Sequence, residues 1–441
     1  MTSKGFDQYD SYKDTGVEKM GVIPEHWKVT HLKRISKKIT DGEHISPEFT
    51  EQGMPFLSAK DIRERKIILQ VDKYVDYENG KKFRKRCNPQ KGDLLIVSRG
   101  ATIGRIGLIE TDKEFCLLGS VILIKTRFLK VDNIFLFYFF NARITQANLF
   151  LTSQASAQQA IYLADISVLF ILLPPIIEQT AIAEYLDSKV AQIDCEIDLL
   201  TQKAIQYGEL KQSLISETVT HGIDKTLAMK DSEVEWIGEV PEHWAVKRIN
   251  DISSQNKKKN LGVYEKNLLS LSYGKIIRKD FDTSFGLLPE SFETYQIVNA
   301  GNIILRLTDL QNDKKSFRVG LVKERGIITS AYLGLKFSKA ICPEFAYYLL
   351  FAYDISKVFY WFGGGLRQSM KFDDIKVLPF IVPPIEEQRA IADYLDTKTT
   401  HIENIVETIN LQIDKLKELR KTLINDVVTG KIKVIGKGDT L

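Results

Sequence analysis

Residues 174–187, with the sequence PPIIEQTAIAEYLD, recur in the same chain as residues 383–396, PPIEEQRAIADYLD. Eleven of the 14 aligned positions are identical. A second block also recurs, because residues 21–27 (GVIPEHW) match residues 238–244 (GEVPEHW). The chain is therefore a tandem duplication. This decides the fold, because each half must build the same frame from its own copy of the repeated segments.

A long stretch without proline follows each Pro-Pro pair and reaches a glycine, Gly222 in the first half and Gly430 in the second. Glycine is a common C-terminal stop for a helix. Apolar or small residues recur along both stretches every 3.5 residues, and the same break holds a cation, Lys211 or Arg420. This period predicts two coiled-coil helices. The predicted seam residues are Val190, Ile193, Ile197, Leu200, Ala204, Tyr207 and Leu214, and then Thr399, Ile402, Val406, Ile409, Ile413, Leu416 and Leu423.

We expect the two helices to pair with each other and to run antiparallel, because they come from opposite halves of a duplicated chain. The alternative is that each helix packs on its own half as an ordinary amphipathic helix. The seam from Val190 to Leu214 would be roughly 36 Å long at 1.5 Å per residue. One turn of B-DNA is about 34 Å. A helix pair of this length could hold two lobes about one DNA turn apart.

The segments between the repeated blocks differ in sequence and share only a similar order of predicted strands and helices. Strands are predicted at residues 94–97, 121–124, 303–307 and 332–337, and short buried helices at 134–140 and 345–351. Asp132 and Pro343 are helix start signals before these two helices. The predicted fold class is α+β, with two globular lobes joined by two long antiparallel coiled-coil helices in a pseudo-twofold repeat.

The repeated blocks also predict the domain boundaries. The predicted segments are an N-terminal extension (1–19), lobe 1 (20–173), a central helix (174–222), a linker (223–236), lobe 2 (237–382), a distal helix (383–430) and a C-terminal tail (431–441).

Composition places the 441-residue chain among ordinary globular proteins, since 44% of its residues are hydrophobic and 27% are charged. The four cysteines are scattered, which argues against a disulfide scaffold or a zinc ribbon and fits a reducing compartment. The sequence shows no apolar run long enough for a membrane span and no secretion signal. We therefore expect a soluble cytoplasmic protein.

The net charge of +4 hides an uneven distribution of charge. Residues 20–170 carry +7 and residues 237–378 carry +6, whereas the helical stretches 176–222 and 385–430 carry −5 and −3. Basic residues also cluster, as in the run Lys81 to Arg86. Such patches bind nucleic-acid phosphates, although a single run is more often a solvated face.

Motifs for catalysis are missing from the sequence. The Walker A, HExxH and GxSxG patterns do not occur, and Leu366 interrupts a possible cofactor loop at residues 361–365. His26 and His243 lie in the repeated PEHW motif, which we expect to fix the entry of the chain into each lobe. The sequence therefore predicts a binding protein with neither catalytic residues nor a metal site.

These features resemble the specificity (S) subunit of type I restriction–modification enzymes over essentially the whole chain. The resemblance is carried by the PEHW openings, the two Pro-Pro blocks, and residues 91–96 (KGDLLI), 100–104 (GATIG) and 365–369 (GLRQS). Two departures concern the lobes: lobe 1 has the looser SAQQA at residues 156–160, and lobe 2 has RLTD at 306–309 in place of GATIG. They leave open which bases each lobe reads.

The resemblance implies two target-recognition domains, each of which reads one half of a bipartite site on double-stranded DNA. It also implies that the paired helices set the spacer and dock two methyltransferase (M) subunits, which endonuclease/translocase (R) subunits then join. Adenosylmethionine, ATP and magnesium would belong to these partners, and this chain would hold no cofactor. The competing interpretation is a non-catalytic coiled-coil adaptor whose basic lobes bind RNA or protein.

Polar residues near the predicted turns are the candidates for DNA contact, because Arg pairs bidentately with guanine, Gln with adenine, and Lys with phosphate. In lobe 1 these are Lys60, Arg84, Arg86, Ser98, Arg99, Thr102, Gln158 and Gln159. In lobe 2 they are Ser272, Tyr273, Lys275, Arg278, Arg306, Thr308, Arg367 and Gln368.

Overall fold

The structure is a computed structural model that describes residues 7–17, 20–45, 47–127, 129–154, 159–280, 291–310, 317–362 and 369–434. The chain forms two compact units. One unit contains the residues up to 200 together with those from 411 onward, and the other contains residues 201–410. We call them unit 1, which contains lobe 1, and unit 2, which contains lobe 2.

Lobe 1 is built mainly of short strands around one hydrophobic helix. Its strands are β1 (Tyr12–Asp14), β2 (Val22–Pro24), β3 (Lys28–His31), β4 (Ser36–Asp41), β5 (Met54–Leu57), β6 (Ile62–Arg63), β7 (Lys66–Ile67), β8 (Tyr74–Val75), β9 (Leu94–Val97), β10 (Ile106–Leu108), β11 (Cys116–Leu117), β12 (Val121–Thr126) and β13 (Phe170–Leu173). Its helices are α1 (Leu32–Ile35), α2 (Tyr77–Arg86), α3 (Asn133–Asn141), α4 (Arg143–Gln154) and α5 (Leu163–Ser167). The long helix α6 (Ile176–His221) follows.

Lobe 2 repeats this plan. Its strands are β14 (Met229–Asp231), β15 (Glu239–Pro241), β16 (Ala245–Arg248), β17 (Ser253–Gln255), β18 (Leu269–Ser272), β19 (Lys275–Arg278), β20 (Gln296–Val298), β21 (Ile303–Leu305), β22 (Val319–Leu321), β23 (Gly326–Ile328), β24 (Leu333–Phe337) and β25 (Pro379–Val382). Its helices are α7 (Ile249–Ile252), α8 (Pro343–Ile355), α9 (Val358–Phe362) and α10 (Phe372–Ile375), and the long helix α11 (Ile385–Val428) follows.

Each lobe is centred on a four-stranded antiparallel sheet, with the order β10-β9-β12-β4 in lobe 1 and β22-β21-β24-β17 in lobe 2. Strand β9 explains the unbroken apolar run in the sequence. Leu94 and Ile96 face a core that contains α3, whereas Leu95 and Val97 face a second core on the other side of the sheet. A strand buried on both faces has no need for polar alternation. The predicted strands and helices of both lobes are confirmed, within a few residues at their ends.

The helix start signals act as the sequence predicts. Asp132 caps α3, because its carboxylate accepts hydrogen bonds from the backbone N–H groups of Ile134 and Phe135 at 2.8 and 3.0 Å. Pro343 is the first residue of α8, where its missing N–H leaves no hydrogen bond unmade.

Both long helices end as predicted, since Gly222 and Gly430 follow them with φ of +75° and +74°. Every seam residue predicted from the heptad pattern is buried or half-buried. Leu199 and Ile205 on α6, and Leu411 on α11, lie off the seam and are exposed. The 3.5-residue period therefore identified the packed stripe of each helix.

The helices pair antiparallel within each unit. In unit 1, Asp194 of α6 binds Arg420 of α11 at 2.9 Å. In unit 2, Lys211 of α6 binds Glu403 of α11. In unit 1, Val190, which precedes Asp194 on α6, shares a core with Leu423, which follows Arg420 on α11, so the two helices run in opposite directions. The alternative, in which each helix packs only on its own half, is wrong, because the end of α11 also belongs to the core of lobe 1.

The repeated PEHW motif fastens each lobe to the start of a long helix. In unit 1, the Glu178 carboxylate is bound by His26 Nε2 at 2.8 Å and by Trp27 Nε1 at 3.0 Å. In unit 2, Glu387 is bound by His243 Nε2 at 2.7 Å and by Trp244 Nε1 at 2.9 Å. The motif thus orients the lobe relative to the helix, as its position in the sequence predicts.

The predicted N-terminal extension and the predicted linker fold alike in the parts that the structure describes. Strand β1 pairs with β2 in unit 1, and β14 pairs with β15 in unit 2. In unit 1, Tyr9 also donates to Glu178, and the N–H of Lys433 donates to the carbonyl of Asp7 at 2.8 Å. The two ends of the described chain therefore meet where unit 2 has a continuous linker. None of the described helices is both long enough and apolar enough to span a membrane.

Candidate nucleic-acid interface

The central strand of each lobe ends at a turn that carries predicted DNA-contacting residues, and we call this region the strand-end site. In lobe 1, the N–H of Gly104 donates to the carbonyl of Val97 at 2.8 Å and closes the turn between β9 and β10. Gly100 and Gly104 have φ of +95° and +81°, values that other residues rarely adopt. Glycine at these two positions therefore lets a very short turn present Arg99 and Thr102.

The segment that leaves lobe 1 crosses this turn. The N–H of Ile161 donates to the carbonyl of Ser98 at 3.0 Å, and Arg99 pairs with Ala160 in an antiparallel bridge. Arg99 and Gln159 are exposed, and Arg99 forms no ion pair within the part of the chain that the structure describes. The structure thus brings Arg99 and Gln159 together, although they are distant in sequence. Ser98 is buried, so its backbone rather than its side chain shapes this site.

The strand-end site of lobe 2 lies at the equivalent place. Arg306 and Thr308 follow β21, and both are half-buried. The N–H of Met370 donates to the carbonyl of Leu307 at 2.9 Å, so the segment that leaves lobe 2 crosses the strand end as in lobe 1. Three predicted contact residues, Gln158, Arg367 and Gln368, lie outside the described residues.

The other candidates of lobe 1 are not at the strand-end site, and each is bound to a carboxylate. Lys60 binds Asp72 at 2.7 Å, and this hydrogen bond raises the pKa of the exposed Lys60 ammonium. Arg86 binds Asp41 at 2.8 Å and remains half exposed. Arg84 has a side chain that is only 13% exposed, and it binds Glu114 and the carbonyl of Phe115, both at 3.0 Å. Arg84 therefore holds α2 in place.

The other candidates of lobe 2 lie on the hairpin of β18 and β19. Tyr273 occupies its turn with φ of +46° and is 80% exposed. Ser272 pairs with Lys275 across the turn. Lys275 binds Glu403 of α11 at 2.8 Å, which fastens this turn to the helix pair.

Arg278, farther along the same hairpin, binds Glu324, and the hydrogen bond to this carboxylate raises the pKa of the guanidinium. Two of the hairpin candidates, Lys275 and Arg278, are thus held by carboxylates, whereas Arg306 and Thr308 lie at the strand-end site. Within the described residues, no group of three or more His, Cys, Asp or Glu side chains could hold a metal ion.

Sequence reasoning missed one residue that shapes the strand-end site of lobe 2. Arg318 is completely buried, and its guanidinium binds the backbone carbonyls of Arg306 and Thr308 at 3.0 and 2.9 Å. An arginine next to a short strand gives no sign in the sequence that it points inward.

The chain matches a known family along most of its length. The model of the type I restriction modification DNA specificity domain matches it twice, at residues 24–202 and at residues 241–415. The type I restriction enzyme MjaVIII specificity subunit of Methanocaldococcus jannaschii is 26% identical over 96% of this chain and 97% of its own length.

Two solved structures share the fold. One, from work on complex assembly and conformational transition of the type I R-M system, aligns with a TM-score of 0.66 over 92% of this chain and 98% of that chain at 13% identity. The other, the HsdS subunit from Thermoanaerobacter tengcongensis, aligns with a TM-score of 0.52 over 93% and 98% of the two chains at 14% identity. At such low sequence identity, both similarities show a common fold and nothing more.

The two family matches coincide with the two halves of the duplication, and each includes one lobe and the start of one long helix. They do not favour an adaptor for RNA or protein. The chain belongs to the family of type I restriction modification DNA specificity subunits, and its function is the sequence-specific recognition of DNA.

Proposed function

We propose that each lobe reads one half of a bipartite DNA site, and that its strand-end site supplies the base contacts. The observation that carries this proposal is the duplicated strand end, where a polar turn and the segment that leaves the lobe cross at the same place in both halves. In lobe 1, Arg99 and Gln159 are exposed side by side. Arg suits guanine and Gln suits adenine in the major groove, and each good pair contributes about 1–3 kcal/mol of discrimination.

The remaining candidates serve the backbone of the duplex in this proposal. Lys60 and Arg278 are exposed cations bound to carboxylates that are exposed or partly exposed, and such surface pairs are weak enough to exchange for phosphate. Arg86 is also exposed, although its partner Asp41 is mostly buried. Contacts of this kind position a protein on DNA and carry little sequence information. Lys275 instead fastens the hairpin to α11 through Glu403, and Arg84 holds α2 in place through Glu114.

The paired helices set the distance between the half-sites and dock two methyltransferase subunits, which endonuclease/translocase subunits join in the complete enzyme. Exposed apolar side chains on the outer faces of the helices support such docking: Leu199, Leu411 and Leu419 in unit 1, and Ile205 and Leu210 in unit 2. This chain is the non-catalytic subunit in the proposal. Adenosylmethionine, ATP and magnesium act in the partner subunits.

The experiment exchanges residues 28–170 for the equivalent lobe of another family member. The altered chain is expressed with its methyltransferase partner, and methylated adenines are mapped in the host DNA. We expect one half of the recognised site to change while the other half and the spacer stay the same. A change in both halves, or in neither, would overturn the modular assignment.

A further inference from the structure

Arg318 connects the strand-end site of lobe 2 to the interior of the lobe. It is 0% exposed. Its Nη1 donates to the carbonyls of Arg306 and Thr308 at 3.0 and 2.9 Å, and its Nη2 donates to the carbonyl of Asp309 at 3.3 Å. Its Nε donates to the hydroxyl of Tyr360 in α9 at 3.1 Å. One guanidinium therefore fixes three carbonyls of the segment that follows β21.

A buried guanidinium is costly unless its donors are satisfied, so its place in the lobe calls for a physical reason. The planar fork of arginine carries five N–H donors in fixed directions, which suits it to hold several carbonyls at once. The backbone N–H of Arg318 is itself fixed, since it donates to the buried Asp354 carboxylate at 2.7 Å. Arg318 is thus anchored on one side and holds residues 306–309 on the other.

The segment that Arg318 holds, residues 306–309, contains a left-handed backbone conformation. Asp309 has φ of +57°, a left-handed conformation that is uncommon outside glycine, asparagine and aspartate. Backbone conformations of this kind persist where the surrounding structure imposes them, and they cluster at functional sites. The bond from Arg318 to the Asp309 carbonyl is one such restraint.

Lobe 1 provides the matched comparison. The N–H of Val97 donates to the carbonyl of Arg105 at 2.9 Å, as the N–H of Arg306 donates to the carbonyl of Arg318 at 2.8 Å, so Arg105 and Arg318 are equivalent. Arg105, however, is only half-buried and donates to the carbonyl of Ile62 at 3.1 Å. In lobe 1 the strand-end turn is fixed by its own glycines and backbone hydrogen bonds.

We propose that Arg318 is a positioning residue for DNA recognition by lobe 2, which fixes residues 306–309 in the conformation that reads the bases of the second half-site. The inference rests on the proposed function, because it assumes that the strand-end site meets DNA. Arg318 itself is buried and does not touch the duplex. Its removal changes which bases lobe 2 prefers, because Arg306 and Thr308 lose their fixed backbone.

The test uses the complete complex of this chain with its methyltransferase subunits. Methylation is measured on a library of duplexes with every base substitution in either half-site, after the wild-type site has been mapped and Arg306→Ala has identified the half that lobe 2 reads. The key variant is Arg318→Lys, which keeps the charge and has no fork. Tyr360→Phe removes one acceptor of the guanidinium, and Arg105→Lys is the control in lobe 1.

We expect Arg318→Lys to lower discrimination at the second half-site by about 5- to 150-fold, the contribution of one good side chain–base pair. The base preferences at the first half-site should stay unchanged. Tyr360→Phe should cause a smaller loss at the same half-site, and Arg105→Lys should change neither half. Thermal unfolding of each complex shows whether Arg318→Lys folds. If it does not, Tyr360→Phe provides the test instead.

A purely structural role predicts a different result, in which Arg318→Lys and Tyr360→Phe lower the melting temperature or total methylation but leave the order of base preferences intact. That result would overturn the inference. It would leave the proposed function standing as long as the wild-type complex modifies a bipartite site and Arg306→Ala alters one half of it. If Arg306→Ala alters neither half, the proposed role of the strand-end site fails together with the inference.

Discussion

The two halves of the molecule have the same frame, by which we mean the long helix and the contacts that fasten each lobe to its start. They differ at their strand ends. In unit 1, the N–H of Asp132 donates to Gln179 Oε1 at 2.9 Å, and in unit 2 the N–H of Cys342 donates to Gln388 Oε1 at 2.8 Å. At the strand ends, by contrast, glycines close a short turn in lobe 1, whereas buried Arg318 supports a longer segment in lobe 2. The frame places each lobe on its helix in the same way, and under the proposed function the different strand ends would suit different bases.

Changing the length of the helix pair should have the largest effect, because α6 and α11 each contribute to both units. Seven residues inserted after Leu200 alone would break the match between the Asp194–Arg420 and Lys211–Glu403 pairs, and we expect loss of bipartite methylation. The same insertion after Leu200 and after Ile413, which lie opposite each other when counted from the Asp194–Arg420 pair of unit 1, should restore activity. It should lengthen the spacer by about three base pairs, since seven helical residues add ~10 Å and a base pair spans ~3.4 Å.

The spacer is measured by mapping methylated adenines in cells that carry each variant. The double insertion keeps the heptad phase, so it separates a change of length from a change of packing. A single insertion that retained full activity with the original spacer would show that the helices do not set the distance.

The frames themselves differ in one respect, which a matched pair of substitutions can measure. The side chain of Glu178 is 7% exposed and also accepts a hydrogen bond from Tyr9. The side chain of Glu387 is 39% exposed and, among the described residues, accepts from His243 and Trp244. Hydrogen bonds to charged groups contribute about 1.5–3 kcal/mol when buried. We expect Glu178→Gln to lower the free energy of unfolding by about 2–3 kcal/mol, and Glu387→Gln by about 1 kcal/mol or less.

Calorimetric or urea unfolding of the two purified variants gives this comparison directly. Gln has almost the same size as Glu, so packing is preserved and the lost charge dominates. Equal destabilisation by both substitutions would mean that the extra contact with Tyr9 adds nothing to the frame of unit 1.

The frame could be predicted from the sequence because its residues occur in both halves. Residues that recur at corresponding positions of a duplicated chain are expected to have the same role. The strand-end sites could be predicted only in part. The sequence places Arg99 and Gln159 near turns, and the structure brings them to one strand end. Lys275 also lies next to a predicted turn, but it binds Glu403. Arg318 could not be found, because burial of an arginine depends on the shape of the whole lobe and not on its neighbours in sequence.

The glycine-closed turn of lobe 1 predicts a smaller, local effect. Gly104→Ala places a side chain at a φ of +81° and should destabilise the protein by about 1–2 kcal/mol. It should also weaken base preference at the half-site that lobe 1 reads. Gly238→Ala is the control, since Gly238 has a φ of +72° with open space around it and lies in a hairpin away from the strand end.

Both glycine variants should melt at similarly reduced temperatures, but only Gly104→Ala should alter the base preferences in the duplex library. If Gly238→Ala altered them equally, the loss would reflect general destabilisation rather than the shape of the turn.

The smallest expected effect concerns the ion pairs that join each lobe to the helix pair, whose polarity differs between the units. In unit 1 an acid of the lobe, Glu64, binds Arg420 at 3.2 Å, whereas in unit 2 a cation of the lobe, Lys275, binds Glu403 at 2.8 Å. Partial burial raises the pKa of Glu403, but the hydrogen bonds from Lys211 and Lys275 outweigh it and hold this pKa below its usual range.

Because the folded pKa of Glu403 lies below the unfolded value of about 4.3, the carboxylate stabilises the protein above that pH. The contribution is lost as the pH falls through the lower folded pKa. Glu403→Gln should therefore destabilise the protein at pH 7, by no more than about 1 kcal/mol for pairs this exposed, and the difference should shrink as the pH falls from about 4.3 toward 3. Thermal unfolding of both proteins across this range tests the sign, with exposed Glu407→Gln as the control on the same helix. A loss that was the same at both pH values would mean that Glu403 supports the hairpin of lobe 2 through packing and not through its charge.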